Sequence, residues 1–234
     1  MTYSKSNYSN TFTVSGKFYD LQVSSTTFHC RSLLKISRIN KIKNNNDINA
    51  IFIMMNPGSA VPTSANPIIP IYNLSQLNVQ LLSSNLINLP LIPAIPDNVQ
   101  YSVMEIMDNK HWNTVYIINL SDLINSSSDK FQSDHISFKN NANSTLENIH
   151  SIFHRDISEL LSLSILNEEI YKIACWGVDQ PKDLTLKAFL FFYDKQINLK
   201  GLSKNNIKFA NDIDYYYLNP KGKPSKVSEL LQII

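Results

Sequence analysis

The stretch IFIMMNPGSAVP (residues 51–62) joins a buried-strand signal to an unusual exit. With the preceding Ala50 it begins as a continuous apolar run of strand length, typical of a strand covered on both faces. The run ends in Asn56, Pro57 and Gly58. The asparagine offers donors and an acceptor, the proline fixes the exit of the chain, and the glycine permits close backbone approach to a ligand. The stretch predicts a central strand over 50–55 that ends at a ligand site.

Similar apolar runs recur along the chain and alternate with segments of helical periodicity. Strands are predicted over 113–120, 169–177 and 214–220, with a short one over 206–210 and a polar loop over 121–141. Helices are predicted over 73–85, 99–110, 145–163 and 181–196, followed by a terminal helix capped by Ser225. This alternation predicts an α/β fold: a three-layer sandwich with a central, mostly parallel four-stranded sheet.

The N-terminal part of the chain has a different pattern. Residues 11–23 alternate around Ser15 and Gly16, which predicts a hairpin, and 30–39 predicts a further strand. A polar, asparagine-rich loop follows. We therefore predict a β-hairpin extension over 1–48 and an α/β domain over 49–234, which together form one compact unit.

Composition is that of an ordinary globular protein, with 43% hydrophobic residues, 17% charged residues and a net charge of +2. No global basic field indicates nucleic acid, so a nucleic-acid site would have to be a local patch. The N-terminus lacks the apolar core of a signal peptide, and no apolar run reaches the ~20 residues of a membrane span. A cytoplasmic protein with no membrane partner is expected, in which Cys30 and Cys175 are reduced and buried.

The histidines give little support for a metal site. His150 and His154 are predicted four residues apart on one helix, a spacing that can bind metal, but no third ligand accompanies them. His135 falls in the predicted polar loop and is expected to be exposed. We expect neither a metal nor a cofactor.

Polar residues gather where the predicted parallel strands end. Asn56, Asn119, Trp176–Gly177 and Asn219–Pro220 all follow apolar runs. Ligands bind at the carboxyl ends of strands in open α/β sheets, and several asparagines there could read the edge of a planar amide-bearing group such as a nucleobase. Each asparagine alone is also compatible with a purely structural role at a strand end or turn.

In order, these motifs resemble those of the uracil-DNA glycosylase superfamily, in particular its mismatch-specific branch. MMNPG matches the last three positions of that branch's Gly-Ile-Asn-Pro-Gly motif. VYIINLS supplies the asparagine after the middle strand, IACWGVDQPK resembles the Trp-Gly strand end, and LNPKGKPSKV resembles Asn-Pro-Ser-Gly-Leu-Ser with drift after the proline. The likeness covers residues 50–234.

The chain also resembles a bacterial family of unknown function with the same layout. HCRSLLKI, IFIMMNPG, PDNVQ and VYIINLSDL follow the order of its motifs, and this likeness reaches back to about residue 29. The Asp-x-Thr of that family is Asp97-x-Val99 here. This second resemblance implies no established activity.

The first resemblance implies a DNA glycosylase that hydrolyses the N-glycosidic bond of a flipped damaged or modified base, in repair or in defence against modified foreign DNA. It makes DNA the partner. Asn56 would position the attacking water, but an amide cannot act as a general base. Asn219 would donate to the departing base, and Asn119 would read the base edge, with Pro57 and Gly58 shaping the substrate site.

Further contacts are implied for the remaining candidates. Tyr72 is the candidate for stacking on the base, with core packing as the alternative. Lys221, Lys223 and Ser225 would contact phosphates, with a solvated loop as the alternative for the lysines. Two other functions remain open: a catalytically inactive relative that binds a nucleotide or nucleic acid, and a hydrolase of a small nucleoside-like metabolite.

Overall fold

The apolar run at residue 50 forms a strand, Ala50–Met54, in which every residue is buried. It lies within a mixed sheet of nine strands in the computed structural model, which describes residues 8–41, 48–178, 181–203, 214–218 and 224–234. In chain order the strands are β1 (Phe12–Val23), β2 (Thr26–Arg38), β3 (Ala50–Met54), β4 (Val61–Pro62), β5 (Ile71–Asn73), β6 (Ile92–Ile95), β7 (Thr114–Asn119), β8 (Tyr171–Ala174) and β9 (Leu199–Lys200).

The strand order is β4-β6-β1-β2-β7-β3-β8-β9, with β5 beside β1. Strands β7, β3, β8 and β9 are parallel neighbours, whereas β2 is antiparallel to β7 and β1 is antiparallel to β2. The prediction of an α/β fold is confirmed. The prediction of a mostly parallel four-stranded sheet is not confirmed: the sheet is mixed and has nine strands, because the long N-terminal hairpin pairs with β7 through β2.

Six α-helices have both ends in the described ranges: α1 (Val79–Asn88), α2 (Asn98–Asn109), α3 (Ser128–Asn141), α4 (Ile157–Ser162), α5 (Lys182–Asp194) and α6 (Val227–Leu231). Short 3₁₀ turns occur at Leu74–Gln76 and Ile152–His154. Several helices begin at a side-chain cap that satisfies free backbone N–H groups. The most complete is at α2, where Asp97 and Gln100 form a capping box.

Alternation along β3 divides the core between the two faces of the sheet. Ile51 and Ile53 belong to an apolar cluster that includes buried residues of α1, α3, α4 and α5. Ala50, Phe52 and Met54 belong to a second cluster, which includes buried residues of α2 and α6. Side chains of successive strand residues point to opposite faces, so helices cover β3 on both sides.

The N-terminal hairpin turns later than the sequence predicts. Strand β1 runs through Ser15 and Gly16 without turning, and the chain reverses at Ser24, which has a positive φ of 54°. Leu34 and Ile36 of β2 are fully buried opposite Ile117 and Val115 of β7. The hairpin is hydrogen-bonded into the same sheet as the parallel strands, while the division into 1–48 and 49–234 stays a prediction.

Two predicted segments fold differently because local caps outweigh weak periodicity. The predicted loop over 121–141 contains α3, which Ser127 caps and which buries only Phe131, His135 and Phe138. The predicted helix over 145–163 is instead a set of turns, a 3₁₀ turn and the short α4. Asp156 starts α4 by accepting from the backbone N–H of Ser158, and so interrupts the longer helix.

The last predicted strand is present only as isolated pairing. Tyr215 forms single bridges with Gly177 and Ser203, and the rest of 214–218 is not strand. The predicted strand over 206–210 lies outside the described residues, as do Asn219 and Pro220. Among the helices of the described ranges, none has the length and apolar character needed to cross a membrane.

A buried ionic network fixes the segment after β7 against β1 and α4. The Oδ2 atom of Asp122 accepts from the Tyr19 hydroxyl at 2.8 Å and lies 2.9 Å from Nη1 of Arg155. Arg155 also donates from Nε and Nη2 to the two carboxylate oxygens of Glu159, at 2.7 and 2.9 Å. One guanidinium therefore faces two carboxylates. Burial, opposed by Arg155 and assisted by Glu159, raises the pKa of Asp122 to about 7.

Stability should fall as pH rises through the window between the ordinary pKa of Asp122, 3.8, and about 7. In that window the native carboxyl keeps a proton that the unfolded chain has lost, so the contribution of Asp122 decreases by at most about 1.4 kcal/mol per pH unit. Asp122→Asn should flatten this dependence in urea unfolding measured across the window. Tyr19→Phe, which removes a donor that lowers this pKa, should extend the slope to higher pH. Equal slopes in wild type and Asp122→Asn would contradict the assignment.

Candidate functional site

The ends of β3 and β7 lie level with each other. Met54 pairs with Asn119, and beyond this pair the backbone N–H groups of Leu120 and Ser121 donate to the carbonyls of Met54 and Met55 at 2.8 and 2.9 Å. The loop that begins at Asn56 and the segment that begins at Asn119 therefore leave the sheet together. Two of the predicted site residues lie at one edge, as expected for parallel strands.

The loop after β3 is tied to the neighbouring segments by side chains. The Nδ2 atom of Asn56 donates to the backbone carbonyl of Asn125 at 2.8 Å. Ser59 N donates to Oδ2 of Asp97 at 3.1 Å, while Oδ1 of Asp97 accepts from Val99 N at the start of α2. The loop is thus held between the β7 exit on one side and the N-terminus of α2 on the other.

Gly58 is required where the loop passes Asp97. Its φ is +68°, and a Cβ atom on it would lie 2.4 Å from Oδ2 of Asp97. Pro57 is buried and Asn56 is half-buried. The sequence predicts that the backbone at Gly58 closely approaches a ligand. Among the described residues, the group that it approaches is the Asp97 carboxylate.

Arg31 lies beneath this loop as a buried cation. Its Nη2 donates to the Pro57 carbonyl at 2.7 Å and its Nη1 to the Ala60 carbonyl at 3.4 Å, while Nε has no partner among the described residues. Burial lowers the pKa of Arg31 to about 10, and the negative charge of Asp97 opposes this shift. The guanidinium still remains charged at neutral pH, so the loop is built over a fixed positive charge.

Two asparagine side chains at this edge have no hydrogen-bond partner in the described part of the chain. They belong to Asn119, which is fully buried, and to Asn125, which is 4% exposed. In each, both the amide nitrogen and the amide oxygen are unsatisfied. A buried polar group without a partner costs about 1–3 kcal/mol, so such groups usually meet water or a ligand. The pair is the clearest indication of a binding function in the structure.

Tyr72 packs beside Tyr19, a member of the buried ionic network. It is half-buried on β5, and its ring centroid lies 6.0 Å from that of Tyr19, whose hydroxyl bonds to Asp122. Burial raises the pKa of the Tyr72 hydroxyl. Its proposed stacking on a base stays a prediction.

The third predicted asparagine, Asn219, and the predicted phosphate contacts Lys221 and Lys223 lie outside the described residues. Leu218 is the last described residue before them. It is buried, and its carbonyl accepts from Lys226 N at 2.7 Å. Ser225 is exposed, and its hydroxyl accepts from Val227 N at the start of α6. Its contact with DNA stays a prediction.

Tyr217 is a candidate that sequence reasoning missed. It is half-buried and lies two residues before Asn219. Burial is the main cause that raises the pKa of its hydroxyl, and the negative charge of Asp97 is the second. The positive charge of Arg31 acts in the opposite direction. The groups that influence it belong to the same edge as Asn56, which makes Tyr217 a second aromatic residue available for stacking.

Asn125 and Arg31 were also missed as site residues. Asn125 closes the run INLSDLIN, in which an asparagine follows an apolar residue twice, so the repeat was a usable signal. Arg31 stands in the basic segment CRSLLKISRINKIK (residues 30–43), whose charges favour exposure to solvent, yet it is 1% exposed. No local pattern indicated that this arginine turns inward to reach Pro57.

Two surface cavities lie away from these residues. The larger, of about 810 Å³, is at the amino ends of β8 and β9 and is lined in part by Tyr171, Lys172, Lys195 and Lys200. The smaller, of about 340 Å³, lies between α3 and the start of α5 and is lined in part by His135, Lys139 and Asp183. Within the described ranges, no group of three or more His, Cys, Asp or Glu residues could hold a metal ion.

No family model, no curated protein and no solved structure matches the chain. The resemblance to uracil-DNA glycosylases stays a prediction from the motifs. The contacts of the carboxyl edge are the basis for the function proposed for this chain.

Gly58→Ala should destabilise the fold by about 1–3 kcal/mol, because the new Cβ meets Asp97 and the backbone conformation disfavours a side chain. Urea unfolding would measure the loss. The matched control is Ser59→Ala, an exposed neighbour that keeps its backbone N–H, for which a change within about 0.5 kcal/mol is expected. Equal stabilities of the two variants would show that the loop does not need glycine at this position.

Proposed function

We propose that the chain is a DNA glycosylase-like protein whose carboxyl edge binds a flipped nucleobase and hydrolyses its N-glycosidic bond. The observation that carries the proposal is the pair of buried side-chain amides of Asn119 and Asn125, which have no partner among the described residues; Asn56 donates to the Asn125 carbonyl. A carboxamide presents a donor and an acceptor side by side, as does the edge of a pyrimidine or purine that pairs in DNA. Such a base would satisfy groups that otherwise weaken the fold.

Asn56 is the candidate for positioning the attacking water. Its Nδ2 is held by the Asn125 carbonyl, so the planar amide fixes the direction in which its Oδ1 can accept from a water. In the reaction the water oxygen bonds to C1′ of the sugar as the bond from C1′ to the base nitrogen breaks. The water then loses a proton to the base or to solvent, because an amide cannot take it.

Negative charge develops on the departing base, and fixed positive charge or dipoles near it accelerate the reaction. Arg31 provides a buried positive charge beneath the Asn56 loop. By the resemblance, Asn219 would donate directly to the base. Together they would supply electrostatic stabilisation in a site without an ionisable base at position 56.

A second candidate function is nucleobase or nucleotide binding without hydrolysis. This function is favoured by the hydrogen bonds that the Asp97 carboxylate, which contacts the loop, already accepts. Both oxygens of Asp97 already accept backbone N–H groups, from Val99 and Ser59. Asp97 is therefore poorly placed to deprotonate a water, and the site would bind a base and leave the glycosidic bond intact.

The test is a panel of duplex and single-stranded DNAs that carry uracil, mismatches or modified cytosines, scored for abasic sites in single turnover, with 2′-deoxyuridine as a small-substrate arm. Asn56→Ala and Asn119→Ala should each lower the rate about 10²–10³-fold, the usual cost of one preorganised polar group. Asn88→Ala, on the exposed side of α1, is the matched control.

Cleavage of one DNA that depends on both asparagines would support the glycosylase. Base binding without cleavage, lost in Asn119→Ala, would support the second candidate. Cleavage of deoxyuridine alone would assign the site to a small nucleoside. Neither cleavage nor binding of any probe, or equal activity in Asn119→Ala and Asn88→Ala, would contradict the proposal.

A further inference from the structure

A chain of buried polar side chains connects the candidate site to the protein surface. The Oγ atom of Ser121, two residues beyond Asn119, lies 3.0 Å from Nδ1 of His150. Nε2 of His150 lies 3.2 Å from Nδ1 of His135, and Nε2 of His135 lies 3.7 Å from Oδ2 of Asp183. Ser121 and His150 are fully buried, whereas the Asp183 side chain is 37% exposed. We call Ser121, His150 and His135 the histidine chain.

The inner end of the histidine chain is built into the segment that carries the two unpartnered amides. Leu123 N donates to the Ser121 hydroxyl at 3.2 Å, and Asp122 N donates to the His150 carbonyl at 2.8 Å. Both contacts lie between Asn119 and Asn125 in the sequence. Any change in the hydrogen bond at Ser121 is therefore made between those two asparagines, two residues after Asn119 and four before Asn125.

The outer end opens to the smaller cavity, of about 340 Å³, which His135, Lys139 and Asp183 help to line. Nζ of Lys139 lies 2.8 Å from Oδ2 of Asp183. The His135 ring is also stacked on Phe131, at a centroid distance of 5.9 Å, and so has little freedom to turn away. A proton from solvent can reach this end, whereas Ser121 and His150 at the inner end are fully buried.

The donors of the neutral histidine chain have one consistent direction. A neutral imidazole has one N–H donor and one acceptor nitrogen. If Nε2–H of His135 faces the Asp183 carboxylate, then Nδ1 of His135 accepts from Nε2–H of His150. Nδ1 of His150 must then accept, and the Ser121 hydroxyl donates to it.

One added proton reverses this direction. In protonated His135 both nitrogens carry hydrogen, so Nδ1–H now points at Nε2 of His150. His150 must then move its single hydrogen from Nε2 to Nδ1, so that the histidine chain gains one proton in all, and the Nδ1 hydrogen points at the Ser121 oxygen. The Ser121 hydroxyl hydrogen then has to turn to another acceptor. The added charge rests on His135 beside Asp183, and His150 changes only its tautomer.

We propose that the histidine chain is a positioning device for the candidate site, in which proton uptake at His135 reverses its hydrogen bonds and resets the segment from Asn119 to Asn125. The reversal follows from the geometry of the chain alone. Its effect on nucleobase binding rests on the proposed function.

The charges around the histidine chain determine where it takes up a proton. They are those of Asp183, Lys139 and Glu147 around His135, and of Arg155 and His154 around His150. Burial lowers the pKa of His135 below its ordinary 6.5, and Asp183 opposes this shift. Burial lowers the pKa of His150 well below the ordinary value, so His150 stays neutral. Proton uptake at His135, and with it the reversal, is therefore expected below the ordinary histidine pKa of 6.5.

The test follows the backbone amide resonances of Asn119 and Asn125 and the ring resonances of the histidines by NMR from about pH 5 to about pH 8. In wild type the backbone amide resonances of Asn119 and Asn125 should both shift with pH, with the same midpoint as the ring resonances of His135. His135→Gln should abolish that shift. Ser121→Ala should leave His135 titrating and uncouple the amides from it.

His154→Gln is the matched control, because His154 lies beside the histidine chain but outside it, and burial lowers its pKa to about 4. This variant should keep the wild-type response. Amide shifts that do not depend on pH in wild type, or that persist in Ser121→Ala, would overturn the proposal. Ser121→Ala decides the matter if His135→Gln does not fold.

A second arm measures uracil affinity at about pH 5.5 and about pH 7.5, where a difference on the order of five-fold is expected in wild type and none in Ser121→Ala. Because the NMR arm uses no ligand, the two proposals fail separately. Coupled amide shifts with no uracil binding at either pH would overturn nucleobase binding and leave the histidine chain supported. If wild type binds uracil with equal affinity at both pH values, the proposed effect of the histidine chain on nucleobase binding is overturned.

Discussion

The parallel pairing of β3 with β7 is the constraint on which the rest of the candidate site depends. Because Met54 lies opposite Asn119, the loop after one strand and the segment after the other leave the sheet at the same level. A shift of one residue would turn the Asn119 side chain to the other face of the sheet. The register is fixed by side chains that are buried on both faces of β3, so core packing also positions the site.

The exit segments are held by contacts that distant parts of the sequence supply. Arg31 of β2 donates hydrogen bonds to the carbonyls of Pro57 and Ala60, and Asp97 connects the same loop to α2. The Asn56 side chain is used to reach Asn125. With the loop fixed in this way, Asn119 and Asn125 are left with unsatisfied amides in the described structure. Burying polar groups without hydrogen-bond partners costs free energy. Such groups, gathered at one edge of a sheet, are typical of a site in which they are held in place for a ligand.

Strong periodicity made part of this architecture predictable. The strands at β3 and β7 and the helices α2 and α5 were predicted close to their observed bounds, because each has a continuous or regularly spaced apolar pattern. Helix α3 was missed because only three of its side chains are buried, and one of them is His135. The mixed sheet was missed because pairing of β2 with β7 joins residues that are far apart in sequence.

The candidate site was predictable to the extent that it follows from strand ends. Asparagines after apolar runs indicated the edge, and Asn56 and Asn119 lie on it. The inward turn of Arg31 and the role of Asn125 depend on tertiary contacts that no local pattern encodes. The same holds for His135, which was expected to be exposed but lies against His150 at 3.2 Å.

We propose that the amides of Asn119 and Asn125, which have no partner in the described part of the chain, form part of a nucleobase site. The most direct measurement is a crystal structure of the protein soaked with free uracil. Uracil density is expected at the carboxyl edge of β3 and β7, with at least one of the two amides hydrogen-bonded to the base edge. A structure in which protein atoms or water alone satisfy both amides, and in which uracil is absent from this edge, would show that the two asparagines do not form a nucleobase site.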